Sequence, residues 1–403
     1  MPCSAMRSST CARRADTAPA NHSTTEPPAM DAPRTLLYVI TGTGIGGAEK
    51  ALCELVERRE RSRFRVVVCS LKRSGAYASR LTAHADAFHD LGLDDGAGLR
   101  AALRFIPATL RLAGIMRHEK ARIVHCFMFR ASLMGRLAAC LCPGASVIAA
   151  VRVKEQEGWK YLLERVTRAL VDRYTAVSEE VRRGMIERAH VDPGRIITIH
   201  NGIDCAGVAM RADGCAQVPV RIALIGRLHP QKGHIDMLEA LKHIIDVGRQ
   251  VHLCLAGEGP DETLLRQRAR ELGIASAVTF AGVVDDTLAF MAGIDIVVLP
   301  SLWEGMPNVL LEAMAAGLPI VASRLGGIEE LVRHEESALL CEPGNPAELA
   351  AALVRLVDDP RLARALALAA RRDAEERFDI ARTVGATQAL YESVARRVQR
   401  RGS

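Results

Sequence analysis

Apolar runs of strand length alternate with helical patterns along this chain, and the alternation begins twice. The first series opens at residues 36–41 and continues through 64–69, 87–91, 122–127, 146–151 and 173–177 to a last run at 196–200. A polar, glycine-containing stretch reaches to Val218. A second series then starts at 220–225, followed by 252–256, 278–281 and 294–299. Strands that take turns with helices predict a parallel sheet covered on both faces, because each crossover lays its helix on a face. A series that restarts predicts two doubly wound α/β domains in succession, with a ligand cleft between them. At 403 residues the chain is long enough for each to have its own core. The predicted layout is a first domain at 34–200, a linker at 201–219, a second domain at 220–376, and a closing helix with a basic tail at 377–403. That tail carries Arg396, Arg397, Arg400 and Arg401. Residues 1–33 are rich in Ala, Ser, Thr and Pro and lack the apolar core of a secretory signal. They read as a disordered tail, with Met30 a second candidate for the start of translation.

Composition narrows the partners. With 49% hydrophobic and 25% charged residues the chain reads as a soluble globular protein, and no apolar stretch is long enough to span a membrane. The net charge of +6 is spread along the chain. It suits an anionic substrate or an anionic membrane surface and does not require nucleic acid. Aromatic residues make up only 4%, too few for a platform that stacks single strands. The eleven cysteines lack zinc-like spacing: Cys140 and Cys142 are separated by one residue. Cys69, Cys126 and Cys254 lie inside apolar runs, where a thiol acts as a small hydrophobe. Reduced thiols in a cytoplasmic protein are the expectation.

The chemistry concentrates at residues 299–323, LPSLWEGMPNVLLEAMAAGLPIVAS. An apolar run ends in Pro300-Ser301, a loop carries Glu304-Gly305, and a helix opens around Pro307-Asn308. Leu310, Leu311 and Met314 form its apolar face, and Gly317 with Pro319 closes it. Glu304 then stands just ahead of a helix N-terminus and Glu312 on the helix itself. Unpaired N–H groups make such a terminus an anion site, so carboxylates there need hydroxyl partners: sugar hydroxyls, with a phosphate facing the helix start. In the same domain, Gly226-Arg227-Leu228-His229-Pro230-Gln231-Lys232-Gly233 follows the first strand. Arg227 and Lys232 beside its end can clamp a diphosphate, one as a planar fork and one as a point charge; alone they would read as two solvated cations, and the Glu304–Glu312 element of the same domain reverses that reading. In the first domain Gly42, Gly44 and Gly47 fit the dinucleotide pattern GxGxxG. The acid expected after the second strand is missing, since Cys69-Ser70-Leu71-Lys72-Arg73 stands there, which disfavours NAD, and no GK[ST] follows for a Walker A loop.

Taken together these motifs resemble the retaining glycosyltransferases of family 4, which have the GT-B fold. The paired glutamates Glu304 and Glu312 and the surrounding EGMPNVLLEAMAAGLPIVAS match that family's signature almost throughout. Arg227 and Lys232 match its diphosphate-binding pair, Gly46-Gly47 its N-terminal glycine pair, and Asn201-Gly202-Ile203-Asp204 its interdomain motif. Gly257-Glu258-Gly259 and Phe280-Ala281-Gly282 fit its strand-end segments near the nucleoside. The resemblance runs from about Leu36 to Tyr391. It implies two Rossmann-like domains facing a central cleft. It also implies transfer of a sugar from a nucleotide diphosphate, UDP by family habit, with retention of configuration, no cofactor and no essential metal. The acceptor would be a hydroxyl of a glycan or a lipid-linked molecule, as in envelope polysaccharide or glycolipid synthesis. Arg227 and Lys232 would stabilise the leaving diphosphate, Glu312 would bind the ribose, and Glu304 the transferred sugar. Backbone N–H groups around Gly305 to Asn308, a segment that includes Met306 and Pro307, would contact the sugar together with Glu304. Gly257 and Gly282 would approach the nucleoside, and Gly46 and Gly47 would close over the phosphates.

One departure stands out. Many family members carry a histidine after the strand at 146–151, where this chain has Arg152, which cannot act as a base but can hydrogen-bond an oxyanion. His125, at the end of the preceding strand, and Arg130, just beyond it, are candidates for the acceptor side; a lone strand histidine is also an ordinary structural residue. Between Gly98 and His118 a helix is expected, interrupted or kinked at Pro107. Its Arg100, Arg104 and Arg111 fall on one arc beside a stripe of Leu99, Leu103, Ile106 and Leu110. That pattern describes either a helix covering the sheet or a basic surface resting on the inner face of a membrane as a peripheral protein. Two other functions stay open at this level: a nucleotide-sugar epimerase on the same fold, and a non-catalytic sugar-nucleotide-binding protein.

Overall fold

The structure, a computed structural model, describes residues 33–93, 99–210 and 218–402. The expected tail, except for Pro33, and positions 211–217 of the expected linker lie outside the described residues, as do the side chains of Arg400 and Arg401. Seven parallel strands form the first sheet: β1 (Arg34–Ile40), β2 (Phe64–Lys72), β3 (Ala87–Leu93), β4 (Ile123–Phe127), β5 (Ser146–Val151), β6 (Arg173–Ala176) and β7 (Ile196–Thr198). Helices α1 (Gly47–Glu57), α2 (Ala78–His84), α3 (Leu99–His118), α4 (Phe129–Cys140), α5 (Gly158–Thr167) and α6 (Glu179–Ala189) connect them. Six parallel strands form the second: β8 (Val220–Ile225), β9 (Val251–Ala256), β10 (Val278–Gly282), β11 (Ile296–Leu299), β12 (Ile320–Ser323) and β13 (Leu339–Cys341). Its helices are α7 (His234–Asp246), α8 (Glu262–Glu271), α9 (Thr287–Met291), α10 (Asn308–Ala315), α11 (Gly326–Glu329), α12 (Pro346–Asp358) and α13 (Pro360–Arg377), and the long α14 (Ile380–Gly402) ends the described chain.

Strand order decides where ligands can go. The first sheet runs β3-β2-β1-β4-β5-β6-β7 and the second β10-β9-β8-β11-β12-β13, so order reverses between β1 and β4 and between β8 and β11. At such a reversal the two flanking loops diverge to opposite faces and leave a crevice at the carboxyl ends of the strands. The glycine-rich segment after β1, His125 on β4, the Arg227–Lys232 loop after β8 and the Glu304 loop after β11 all stand at these two points. Continuous apolar strands such as Leu36–Ile40 and Val66–Val68, almost free of solvent, fit a sheet sandwiched by helices.

The chain does not stay in its second half. Ile203 and Asp379 form a bridge between linker and C-terminal segment, and α14 then packs on the first sheet. There Ile380, Val384, Leu390, Tyr391 and Val394 join Leu36, Tyr38, Leu52 and Phe127 in one apolar cluster. Each large apolar side chain so buried stabilises the fold by roughly 1.5–3 kcal/mol.

Helix α3 departs from expectation twice. It continues through Pro107 as one helix. Its sheet-facing side is Ala108, Thr109, Leu112, Ala113 and Met116, whereas Ile106 and Leu110 of the expected stripe are 66% and 55% exposed. That arc, anchored by Leu112 and Met116 in the core, turns Ile106 and Leu110 outward. The side chains of Leu99, Arg100 and Leu103 are outside the described ones. Among the described residues no helix is long and apolar enough to cross a membrane.

Candidate active site

The second sheet's edge is built from backbone in contact with backbone. Gly226, Gly257 and Gly282 end β8, β9 and β10, with the Gly226 N–H donating to Ala256 O at 2.9 Å and the Gly257 N–H to Gly282 O at 2.7 Å. A Cβ on Gly257 would come within 2.1 Å of Gly226 O, and its φ of +140° is one that side chains rarely adopt. Only glycine allows these strand ends to close into a smooth wall.

Both carboxylates of the pair are buried, and each meets a lysine. Glu304, beneath the loop after β11, takes a hydrogen bond from Ser301 Oγ at 2.8 Å and lies 2.5 Å from Lys232 Nζ. Glu312, on the inner face of α10, meets Lys50 Nζ, which comes from α1 of the other domain. Burial raises the pKa of Glu312, and Lys50 offsets that rise. A buried charge needs such a partner, and removing the partner costs more than the pair contributes. Arg227 is exposed and makes no side-chain hydrogen bond or ion pair among the described residues. Of the expected Arg227–Lys232 pair, Lys232 engages Glu304, while Arg227 projects exposed at the strand end. The carboxylates are likewise not left bare for hydroxyls.

Helix α10 starts one residue later than its proline: Pro307 is extended, with ψ of 120°, and Asn308 is the first helical residue. Asn308 works across the gap. Its Nδ2 donates to Gly47 O at 2.9 Å, and its Oδ1 accepts from Asn201 Nδ2 at 2.6 Å. Asn201 in turn accepts from Arg152 at 2.5 Å and donates to Met306 O at 3.2 Å. Gly305 packs on the end of β5 so closely that a Cβ would meet Arg152 O at 2.4 Å. The helix start, the glycine pair and Arg152 are thus one contiguous contact.

Beside it opens a cleft of about 950 Å³, lined among others by Lys50, Glu54, His125, Phe127, Arg152, Asn201, Asn308 and Glu312. His125 sits at its floor, 2% exposed. Its Nδ1 is 2.7 Å from Tyr391 Oη, which is hydrogen-bonded to Tyr38 Oη at 2.9 Å, while Nε2 has no partner among the described residues. Burial, helped by the charge of Arg152, lowers the His125 pKa to about 3, so the imidazole is neutral. Burial also lowers the pKa of Arg152, to about 10, and its guanidinium lies 5.8 Å from the Phe127 ring centre. Arg130 is not part of this lining; it is exposed on the first turn of α4.

Two further carboxylates tie the domains together. Glu330 accepts the first free N–H groups of α6, from Glu179 at 2.9 Å and Glu180 at 3.1 Å, and lies 2.9 Å from His200 Nε2. Reciprocally, Glu180 accepts from Gly327 N at 3.0 Å. Each domain caps a helix start of the other.

The model of the glycosyltransferase family 4 matches residues 45–206, and that of the glycosyl transferases group 1 matches residues 219–359. The chain belongs to this glycosyltransferase family. Among curated relatives, the glycogen synthase of Mycobacterium tuberculosis is 36% identical over 198 residues, 49% of this chain and 48% of the relative. The chain thus spans about half the length of that protein. The UDP-Gal:alpha-D-GlcNAc-diphosphoundecaprenol alpha-1,3-galactosyltransferase of Escherichia coli is 27% identical over 313 residues, 72% of this chain and 80% of the relative. Among solved structures, HepE of Anabaena in complex with UDP and glucose superposes with a TM-score of 0.78 at 22% identity, covering 89% of this chain and 100% of that one. The architecture is the GT-B fold of this glycosyltransferase family.

Within this family member, sequence reasoning missed Lys50, which directly follows Glu49 in the GGAEK segment and faces Glu312 across 262 positions. A cation one turn into a helix behind a glycine pair was the available signal. Tyr391 gave none, because its role depends on α14 returning to the first sheet.

Proposed function

We propose that this family member is a retaining glycosyltransferase that moves a sugar from a UDP-linked donor to a hydroxyl of a glycan or lipid-linked acceptor, in the building of envelope polysaccharide or glycolipid. The observation that carries this reading is the seating of Glu304 and Glu312 around the start of α10, each against a lysine, with Asn308 bonded across to Gly47 at 2.9 Å. The two carboxylates are buried, while both lysines keep access to solvent and so to a ligand. A sugar diphosphate supplies both complements, oxygens for the ammonium groups and hydroxyls for the carboxylates.

On donor binding, Lys232 turns one of its three N–H donors to a phosphate oxygen while keeping Glu304, and Arg227 closes from the strand end. Together they stabilise the charge that grows on the diphosphate as the C1–O bond breaks. Glu304 and Glu312 hold the sugar and ribose hydroxyls. The acceptor hydroxyl attacks C1 from the face the diphosphate leaves, and its proton passes to the departing phosphate oxygen, so configuration is retained without a protein base at Arg152. The UDP assignment is supported by the E. coli relative, whose name specifies UDP-Gal, and by HepE, which holds UDP.

A thermal-shift panel of UDP-, GDP- and ADP-sugars tests the donor, with stabilisation by UDP-sugars alone expected. Glu304→Ala and Arg227→Ala are then assayed for transfer and for donor hydrolysis; full activity in both variants overturns the site assignment. Product analysis without acceptor separates transfer from epimerisation.

A further inference from the structure

Helices α1 and α10 face each other across the cleft in matched register. Asn308 and Glu312 stand one turn apart on α10, and Gly47 and Lys50 one turn apart on α1. Asn308 Nδ2 donates to Gly47 O at 2.9 Å, and one turn further along Lys50 Nζ meets Glu312 Oε1. Lys50 closes the first turn of its own helix, its N–H donating to Gly46 O at 3.0 Å. The first contact thus sets the register of the second, and the backbone that carries the glycine pair delivers the ammonium to Glu312.

The pair is uneven in its exposure. The Glu312 side chain is 5% exposed and that of Lys50 27%, and both line the cleft. A carboxylate so buried tends to take up a proton. Burial is the largest influence on Glu312 and raises its pKa; Asp286, just ahead of α9, adds to the rise, while Lys50 and the Thr287 hydroxyl oppose it. Tyr77, which precedes α2, also faces this carboxylate, and its own pKa is raised by burial and, to a smaller extent, by Glu312, so it stays uncharged. Ionised, a carboxylate offers about four acceptor positions and can take both hydroxyls of a vicinal diol; protonated, it gives one position to its own hydrogen and accepts more weakly. Lys50 takes one of those positions, on Oε1. We propose, resting on the seat of the donor ribose at Glu312, that Lys50 is a positioning residue: docked on one oxygen across the cleft, it keeps the carboxylate charged and turned so that its remaining lone pairs meet both ribose hydroxyls. Lys50 thereby sets the preference for a ribonucleotide over a deoxyribonucleotide donor.

Calorimetric titration of the full chain with UDP and with its 2′,3′-dideoxy analogue is the test. The wild-type protein should prefer UDP. In Lys50→Met that preference should fall ~10-fold at pH ~7, a neutral acceptor replacing a charged one, and should recover as pH rises and Glu312 ionises. Lys50→Arg should restore it at pH ~7, and the analogue should bind within ~2-fold in every variant, since it has no hydroxyls for the carboxylate. Glu312→Gln should lose the preference at every pH with Lys50 in place. Circular dichroism checks that each variant is folded, with Lys50→Gln in place of Lys50→Met if the latter is not. The proposal falls if the lysine variant keeps the preference, or if it weakens UDP and the analogue alike, the result for a pair that only staples two helices. Either result leaves the donor assignment standing. If Glu312→Gln keeps the preference, or the wild type binds both nucleotides equally, the ribose seat and the proposal fall together.

Discussion

The two lips of the cleft are built in opposite ways. The lip on the second sheet draws its own side chains from a small stretch: Lys232, Glu304, Asn308 and Glu312 belong to two short loops and one helix, with Glu304 held by Ser301 and Lys232 of the same sheet edge while Asn308 and Glu312 reach across to Gly47, Asn201 and Lys50. The lip on the first sheet is assembled from afar, with His125 on β4, Arg152 after β5, Asn201 from the linker and Tyr391 from α14. A locally built lip keeps its geometry however the surroundings change, which suits a donor of constant chemistry. A lip gathered from distant segments changes with any one of them, which suits an acceptor that differs between relatives.

That contrast is open to direct attack. The largest effect is expected at the local lip: Lys232→Ala should reduce transfer by ~10²–10³-fold and weaken nucleotide binding, because leaving-group charge and Glu304 lose their cation together. Steady-state kinetics with a nucleotide titration check this; retained donor affinity would dissolve the division. At the assembled lip, His125→Gln should lower kcat/KM for acceptor by ~10–10²-fold while donor affinity stays within ~2-fold. An equal loss for donor would show that the lips do not work separately.

Acid sharpens the comparison further, since each domain buries a histidine with no acidic partner among the described residues. Burial lowers His125 to about 3 and His234, at the start of α7, to about 4. Both folded values lie below the unfolded one near 6.5. The unfolded chain therefore binds more protons, and stability present above pH ~6.5 is lost as pH falls toward those values. Each histidine should cost ~2 kcal/mol between pH 6.5 and 5, at ~1.4 kcal/mol per pH unit. Denaturant titrations of His125→Gln and His234→Gln at both pH values check it, each variant flattening the slope by its share. The smallest effect is expected from chelation. With Lys232 and Arg227 as the counter-charges, EDTA should leave transfer within ~2-fold, and a strong loss would bring a metal into the donor lip.

Much of the local lip could be read directly from residues, since the seven positions between Glu304 and Glu312 and the glycine at each strand end are statements about neighbouring backbone. Long-range partners could not be read in that way. Lys50 meets Glu312 only because α1 and α10 face each other across the cleft, and no spacing within the GGAEK segment encodes that distance. The Arg227–Lys232 pair shows the same limit from the other side: the two cations could be read from one loop, but not that a buried carboxylate 72 positions away also engages Lys232. In α3 the periodicity was visible but its orientation was not. Two arcs of that helix are apolar, and the one carrying Ala108, Leu112, Ala113 and Met116 faces the sheet.

Tyr391 has a consequence for how the protein comes into being. It fills the space against Tyr38, Phe64 and His125, in strands translated some three hundred residues earlier. Until α14 clears the ribosome, the first domain has an open seam along β1 and β4, with apolar surface that only the end of the chain can close. The domain made first is thus the last to be completed, and a nascent chain waiting in that state is where a chaperone would find its grip.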